Sequence, residues 1–155
     1  MRLNGRGEQG DLCSNVMKKR VLFLCTGNAA RSQMAEALAR ADHGDVLDPV
    51  SAGSRPAELV HHIAIQVIEE LGISMEGART KGADEFTDAS LDVVVTVCDS
   101  AAQDCPSWPG ARRIEHWSIE DPSWADPEIR WERFRETRDE LRRRISALVE
   151  SLESA

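Results

Sequence analysis

The chain is poor in what a basic, membrane-spanning or metal-holding protein needs. Lysine and arginine number 19 against 27 aspartates and glutamates, giving a net charge of -8 and a pI near 5.0. That balance argues against general nucleic-acid binding, which needs a basic surface. No apolar run approaches the roughly 20 residues needed to cross a bilayer. Residues 1–15 are polar and Gly-rich, without the apolar core of a signal peptide. A cytoplasmic protein is expected. Cysteine is scarce: Cys13, Cys25, Cys98 and Cys105. There is no CxxC pair, and none of the four histidines stands at ligand spacing from a cysteine. Zinc is therefore a poor reading and no metal is expected. In a reducing compartment such thiols are buried fillers or reactive groups rather than structural disulfides.

There is also no internal repeat and no sign of a second domain, and 155 residues suit one compact unit. Residues 1–17 carry no periodic pattern and read as a disordered leader, with Met17 an alternative start and Cys13 incidental. The domain then spans 18–155. Val21-Leu22-Phe23-Leu24 is a continuous apolar run, as in a strand buried on both faces. From Ser32 the pattern turns helical, with Met34, Ala37, Leu38 and Ala41 on one face. Residues 46–51 read as a second strand, and Ile63, Val67, Ile68 and Leu71 as a second helical stripe closed by Gly72. His61-His62 is expected to open that helix on its solvent side. Residues 91–97 are the clearest buried strand, with Cys98 at its end, and 112–117 a fourth. Phe134, Leu141, Ile145, Leu148 and Leu152 mark the face of a long last helix, with Arg142-Arg143-Arg144 on its solvated side. Alternating strands and helices predict an α/β fold with a parallel sheet.

The densest chemistry lies in Cys25-Thr26-Gly27-Asn28-Ala29-Ala30-Arg31-Ser32, between the first strand and the first helix. A strand-to-helix turn aims successive backbone N–H groups at one spot, and the helix start adds positive potential. The amides of residues 26–31 thus make a cradle for a tetrahedral oxyanion. Gly27 is expected to let the backbone turn and approach closely. Asn28 tolerates a left-handed conformation and can tie the loop with its amide. Arg31 can grip two oxygens at once. Cys25 at the floor is the candidate nucleophile, with Ser32 donating to its sulfur and the local field expected to lower its pKa. A lone C-x5-R match occurs often by chance; strand before, helix after and serine following the arginine favour the anion site.

The stretch from Val21 to Glu36 resembles the low-molecular-weight protein tyrosine phosphatases, and more closely their offshoot, the thiol-linked arsenate reductases. Ser51-Ala52-Gly53, Val95-Thr96-Val97-Cys98-Asp99 and His116-Trp117-Ser118-Ile119-Glu120-Asp121-Pro122 follow in the family's order. The resemblance runs from about Lys19 onward. It implies a four-stranded parallel sheet with helices on both faces, related to flavodoxin-like folds. It also implies a thiol relay. Cys25 attacks arsenate, for which phosphate is a mimic, and Asp121 protonates the leaving oxygen. Cys98 resolves the adduct and Cys105 then frees Cys25. The final Cys98–Cys105 disulfide passes to thioredoxin, or alternatively to a low-molecular-weight thiol system, with no bound cofactor. Residues 98–107 should change conformation on oxidation.

The alternative is a phosphatase hydrolysing phosphotyrosine or a small phosphoester through phosphocysteine, with Cys98 and Cys105 idle or regulatory. A third reading is an oxyanion-binding regulator without turnover; intact Cys25, Arg31 and Asp121 argue against it. Relatives often carry serine and cysteine where this chain has Ala29 and Ala30, and paired tyrosines before the Asp-Pro, whereas this chain has no tyrosine. Trp108, Trp117 and Trp124 are candidate pocket walls instead. Some relatives bind a monovalent cation through positions matching Asn28, Glu36 and Ser51. Lys81 aligns best with their aspartate, so an ammonium is expected to replace the ion. The protein is expected to act as a monomer.

Overall fold

The computed structural model describes residues 18–104 and 108–154. The expected leader, Cys13 and Cys105 lie outside them. Four strands, β1 (Lys19–Cys25), β2 (Leu47–Gly53), β3 (Leu91–Thr96) and β4 (Ala111–His116), form one parallel sheet in the order β2-β1-β3-β4. Between and after them run α1 (Arg31–His43), α2 (His62–Glu69), α3 (Asp99–Asp104) and α4 (Arg130–Ser154). Short 3-10 turns occupy Ala83–Phe86 and Pro122–Trp124.

The central strands are covered on both faces because consecutive residues, not alternate ones, are buried. Val21 through Leu24 and Val93 through Val95 are all essentially inaccessible. The edge strand β4 instead alternates intermediate and exposed residues. Met34, Leu38, Ile68, Phe134, Leu141 and Ile145 complete the core, and α1, α2 and α4 pack on one another. The expected helical face of α1 needs one correction. Ala41 is exposed, while Ala35 and Ala39 are buried, so the stripe is wider and ends earlier.

Two further expectations shift. Arg142 is not a solvated decoration, because its guanidinium donates to both carboxylate oxygens of Asp42 at 2.7 and 2.8 Å and ties α4 to α1. His61 is half-buried rather than on the solvent side. It is the N-cap of α2, its ring nitrogen accepts from the Ile63 amide at 3.1 Å, and the ring packs on Phe134. Gly72 follows α2 in the left-handed region (φ 78°), as a C-terminal glycine should.

The order β2-β1-β3-β4 decides where the site lies. From β1 the chain passes outward to β2, then crosses back to β3 on the other side of β1. That reversal opens a crevice at the C-terminal ends of β1 and β3. Cys25 is the last residue of β1, and Cys98 stands just past the end of β3.

Candidate active site

The loop after β1 is built around Asn28. It is fully buried and is the sole non-glycine among the described residues with positive φ, at 52°. Asparagine tolerates this conformation better than most residues, and every polar position of its amide is used. Nδ2 donates to Ser32 Oγ at 2.8 Å and to Ser51 Oγ at 3.0 Å. Oδ1 accepts from Gln33 Nε2 at 2.9 Å and from the Lys81 amide at 2.8 Å. The turn falls on Asn28 rather than on Gly27, which has no positive φ and room for a Cβ, its nearest neighbour being 3.8 Å away. The close approach is made by Gly53. A Cβ there would lie 2.5 Å from the Thr26 carbonyl oxygen and 2.9 Å from the Asn28 nitrogen. Gly53 therefore lets the end of β2 lie against the loop.

Cys25 is 2% exposed. Its Sγ lies 2.8 Å from Ser32 Oγ and accepts from the Asn28 amide at 3.2 Å. Since Ser32 Oγ already accepts from Asn28, its own hydrogen is free to point at the sulfur. Helix α1 begins at Arg31 with no side-chain cap and no acidic residue in its first turn, so its positive end faces the loop. The expectation of a lowered thiol pKa is nevertheless overturned. Burial pushes the Cys25 thiol up, and this outweighs the pull of Ser32, the Arg31 charge and the Asn28 amide, all of which lower it.

Arg31 and Asp121 face one another. The guanidinium donates to the Ile119 carbonyl at 2.9 Å and to Asp121 Oδ2 at 3.4 Å. Asp121 Oδ1 accepts from the amide and hydroxyl of Ser123 at 2.9 and 2.7 Å, which fixes the carboxylate at the head of the Pro122–Trp124 turn. Thr26, Gly27, Arg31, Cys98 and Asp121 line one open cleft of about 740 Å³. Cys98 is 4% exposed. Its sulfur lies 3.4 Å from Thr26 Oγ1 and accepts from the Ala101 amide at 3.3 Å. Thr26, the residue after Cys25 in the chain, thus touches the Cys98 sulfur, while the Cys25 sulfur is held by Ser32 and Asn28. Of the three candidate walls, only Trp124 lines the cleft; Trp108 is buried, and Trp117 is buried against Phe23.

Behind the loop, Ser51 donates to Glu36 Oε1 at 2.7 Å, and Lys81 Nζ stands 3.4 Å from the same oxygen. The ammonium also donates to the Arg79 carbonyl at 3.1 Å. Among the described residues, no group of three or more His, Cys, Asp or Glu is arranged to hold a metal. No helix among them is long and apolar enough to cross a membrane. Sequence reasoning missed Gln33, a buried amide that joins Asn28 to the Arg79 carbonyl. Its signal was a polar residue one helical turn before Ala37, within the apolar face. It also missed Asp99, His116 and Ser118, which lie in resembling stretches but carry no motif of their own.

Residues 20–155 match the family described as low molecular weight phosphotyrosine protein phosphatase. The chain belongs to this family. Among relatives of this phosphatase-family chain, an arsenate reductase from Halalkalibacterium halodurans is 38% identical over 136 residues, covering 86% of this chain and 97% of that protein. A solved arsenate reductase in a phosphate-binding state superposes with TM-score 0.75 at 30% identity, covering 86% of this chain and 98% of the other. A thioredoxin-dependent arsenate reductase from Corynebacterium glutamicum superposes with TM-score 0.70 at 28% identity, covering 93% of this chain and 66% of that one.

Proposed function

We propose that this member of the phosphatase family reduces arsenate to arsenite by a cysteine relay. The observation that carries the reading is the second thiol, Cys98, on the cleft that holds Arg31 and Asp121 and hydrogen-bonded to Thr26, the residue that follows Cys25. Phosphoester hydrolysis uses one sulfur; a reduction needs two electrons and hence a second sulfur within reach. The names of the relatives, arsenate reductases over nearly their whole length, support the same assignment.

Hydrogen arsenate enters the cradle of residues 26–31, its oxygens held by backbone amides and Arg31. Cys25 sulfur attacks arsenic, and one arsenate oxygen leaves as water with a proton from Asp121, giving an S–As bond. A neutral thiol meeting a dianion carries the same net charge as a thiolate meeting a monoanion. The buried, protonated Cys25 therefore hands its proton to the oxyanion as it attacks. Cys98 then attacks Cys25 sulfur. The S–As electron pair stays on arsenic, which leaves as arsenite, and a Cys25–Cys98 disulfide remains. Cys105 attacks Cys98, Cys25 departs as thiol, and the Cys98–Cys105 disulfide takes two electrons from thioredoxin or a low-molecular-weight thiol.

The test follows NADPH oxidation with the purified chain, thioredoxin, thioredoxin reductase and arsenate, for wild type and Cys105→Ser. Turnover in the first and none in the second is expected. No turnover in wild type, together with hydrolysis of a phenyl phosphate ester, would assign the chain to phosphatase chemistry. That second reading has its own support, since Cys25, Arg31 and Asp121 suffice for it and the family bears that name.

A further inference from the structure

Four side chains, two of them lining the cleft (Asp99 and Ser118) and two behind it (Thr96 and His116), form a continuous set of hydrogen bonds and take no part in the thiol chemistry above. Thr96 and His116 are register partners on β3 and β4. Thr96 Oγ1 lies 2.8 Å from His116 Nδ1, and His116 Nε2 lies 2.9 Å from Asp99 Oδ1. Ser118 Oγ donates to the same Asp99 oxygen at 3.1 Å. Asp99 is the first residue of α3 and the neighbour of Cys98. Its carboxylate therefore fastens the start of α3 to the end of β4, while the Ala101 amide and the Thr26 hydroxyl hold the Cys98 sulfur inside.

The set is satisfied in both protonation states of the imidazole. When the ring is neutral, Thr96 donates to Nδ1 and Nε2–H donates to Asp99. When it is charged, Nδ1–H donates to Thr96 Oγ1, whose own hydrogen turns to the Glu115 carbonyl 3.4 Å away. Protonation thus costs no hydrogen bond and adds an ion pair to Asp99. His116 holds the Asp99 carboxyl below its usual range, with Ser118 adding to the effect. The other charged groups around the pair are Arg31 of α1, whose charge also bears on Asp99, Glu115 on β4, and Glu120 and Asp121 on the same cleft. Glu115 is itself occupied by Arg113 and the Trp117 indole.

We propose that Thr96, His116, Asp99 and Ser118 form a clasp that restrains Cys98, so that its release sets the rate of the resolving step; the inference rests on Cys98 being the resolving thiol. The four are positioning residues. To attack a sulfur and later pair with Cys105, Cys98 must leave its present bonds, and the start of α3 moves with it. Lower pH charges the imidazole, tightens the clasp and slows release.

The experiment uses the full chain and two variants, Asp99→Asn and His116→Gln, with two readouts. The first is alkylation of Cys98 by iodoacetamide without arsenate, read by mass spectrometry as the ratio of variant to wild type at each pH; His116→Gln is the deciding arm, because it leaves the Asp99 charge beside Cys98 in place and loss of the imidazolium alone would lower the thiolate fraction. For Asp99→Asn the ratio is expected to be about five at pH 6, the size of an exposed ion pair, and about two at pH 8.5, where the uncharged ring still donates to the carboxylate. His116→Gln keeps a donor to Asp99 without a charge, so its excess should appear at pH 6 and vanish at pH 8.5. The second readout, in a Cys105→Ser background, is the rate of Cys25–Cys98 disulfide formation after mixing with arsenate, which should follow the same ratios. Ratios of one at both pH values, with the disulfide still forming, overturn the clasp alone. Altered alkylation with no arsenate-driven disulfide in any chain overturns the relay, and the rate-setting role with it.

Discussion

At the scale of single residues, the site depends on how a buried sulfur is kept usable. Burial holds Cys25 protonated, and Ser32 is the strongest opposing influence. A thiol whose pKa is raised ionises only as pH climbs past the ordinary thiol value, so alkylation of Cys25 should rise late along a pH series. Ser32→Ala removes the leading contact that lowers the pKa and should move the midpoint of that series further up. A midpoint that stays or falls contradicts the role given to Ser32. Asp121 makes a separate claim. Asp121→Asn keeps the shape of the Pro122–Trp124 turn but cannot deliver a proton. The first chemical step should slow by about 10²-fold or more, while phosphate still competes for the pocket with nearly unchanged affinity. Stopped-flow measurement of the first step beside phosphate inhibition separates the two effects, and an unchanged rate would remove Asp121 from the chemistry.

At the scale of elements, the loop between β1 and α1 is held in shape by one side chain and by one missing side chain. Asn28 carries four hydrogen-bond contacts and a left-handed backbone. Asn28→Ala loses both the amide and the conformational tolerance, and strands the Lys81 amide and Gln33; a loss of about 3 kcal/mol is expected. Asn28→Gly loses the amide but accepts the backbone, and should recover about 1 kcal/mol of that. Urea denaturation of the three proteins checks the order; an alanine variant as stable as the glycine variant would contradict the account. Much of this loop was legible beforehand, because the apolar run before it and the helical pattern after it fix a strand-to-helix turn. The left-handed Asn28 was readable too, since few residues tolerate that conformation. The close approach was assigned to Gly27, whereas Gly53 makes it from the end of β2, 26 positions further along the chain. Only the packing of β2 beside β1 shows which glycine is squeezed. The same limit applies to Trp117 and Trp124. One lies on Phe23 and the other stands at the cleft mouth.

At the scale of the whole molecule, α4 is the element that binds the helices to one another through charge as well as apolar packing. Arg142 reaches Asp42 on α1, while Arg135 and Arg138 converge on Glu70 at the end of α2. Arg138 is mostly buried and also donates to the Val67 carbonyl at 2.8 Å, so it anchors the junction. The hydrogen bond from Arg135, followed by the bond from Arg138, draws the Glu70 carboxyl down from 4.5 to about 2. A carboxyl depressed in the folded chain keeps its proton off until well below the pH at which the unfolded chain takes one up. Its contribution to stability is therefore complete above about 4.5 and is lost as pH falls toward about 2. Because the pair stands in solvent, salt should weaken it. Thermal melts at pH 7, 4 and 2.5 test this in wild type and Glu70→Gln. The glutamine variant should melt lower at pH 7 and approach wild type at the acid end, with a smaller gap in 1 M salt. A gap as large at pH 2.5 as at pH 7 would mean that Glu70 acts through packing, leaving Arg138 and the apolar face of α4 as the tie between α2 and the rest of the fold.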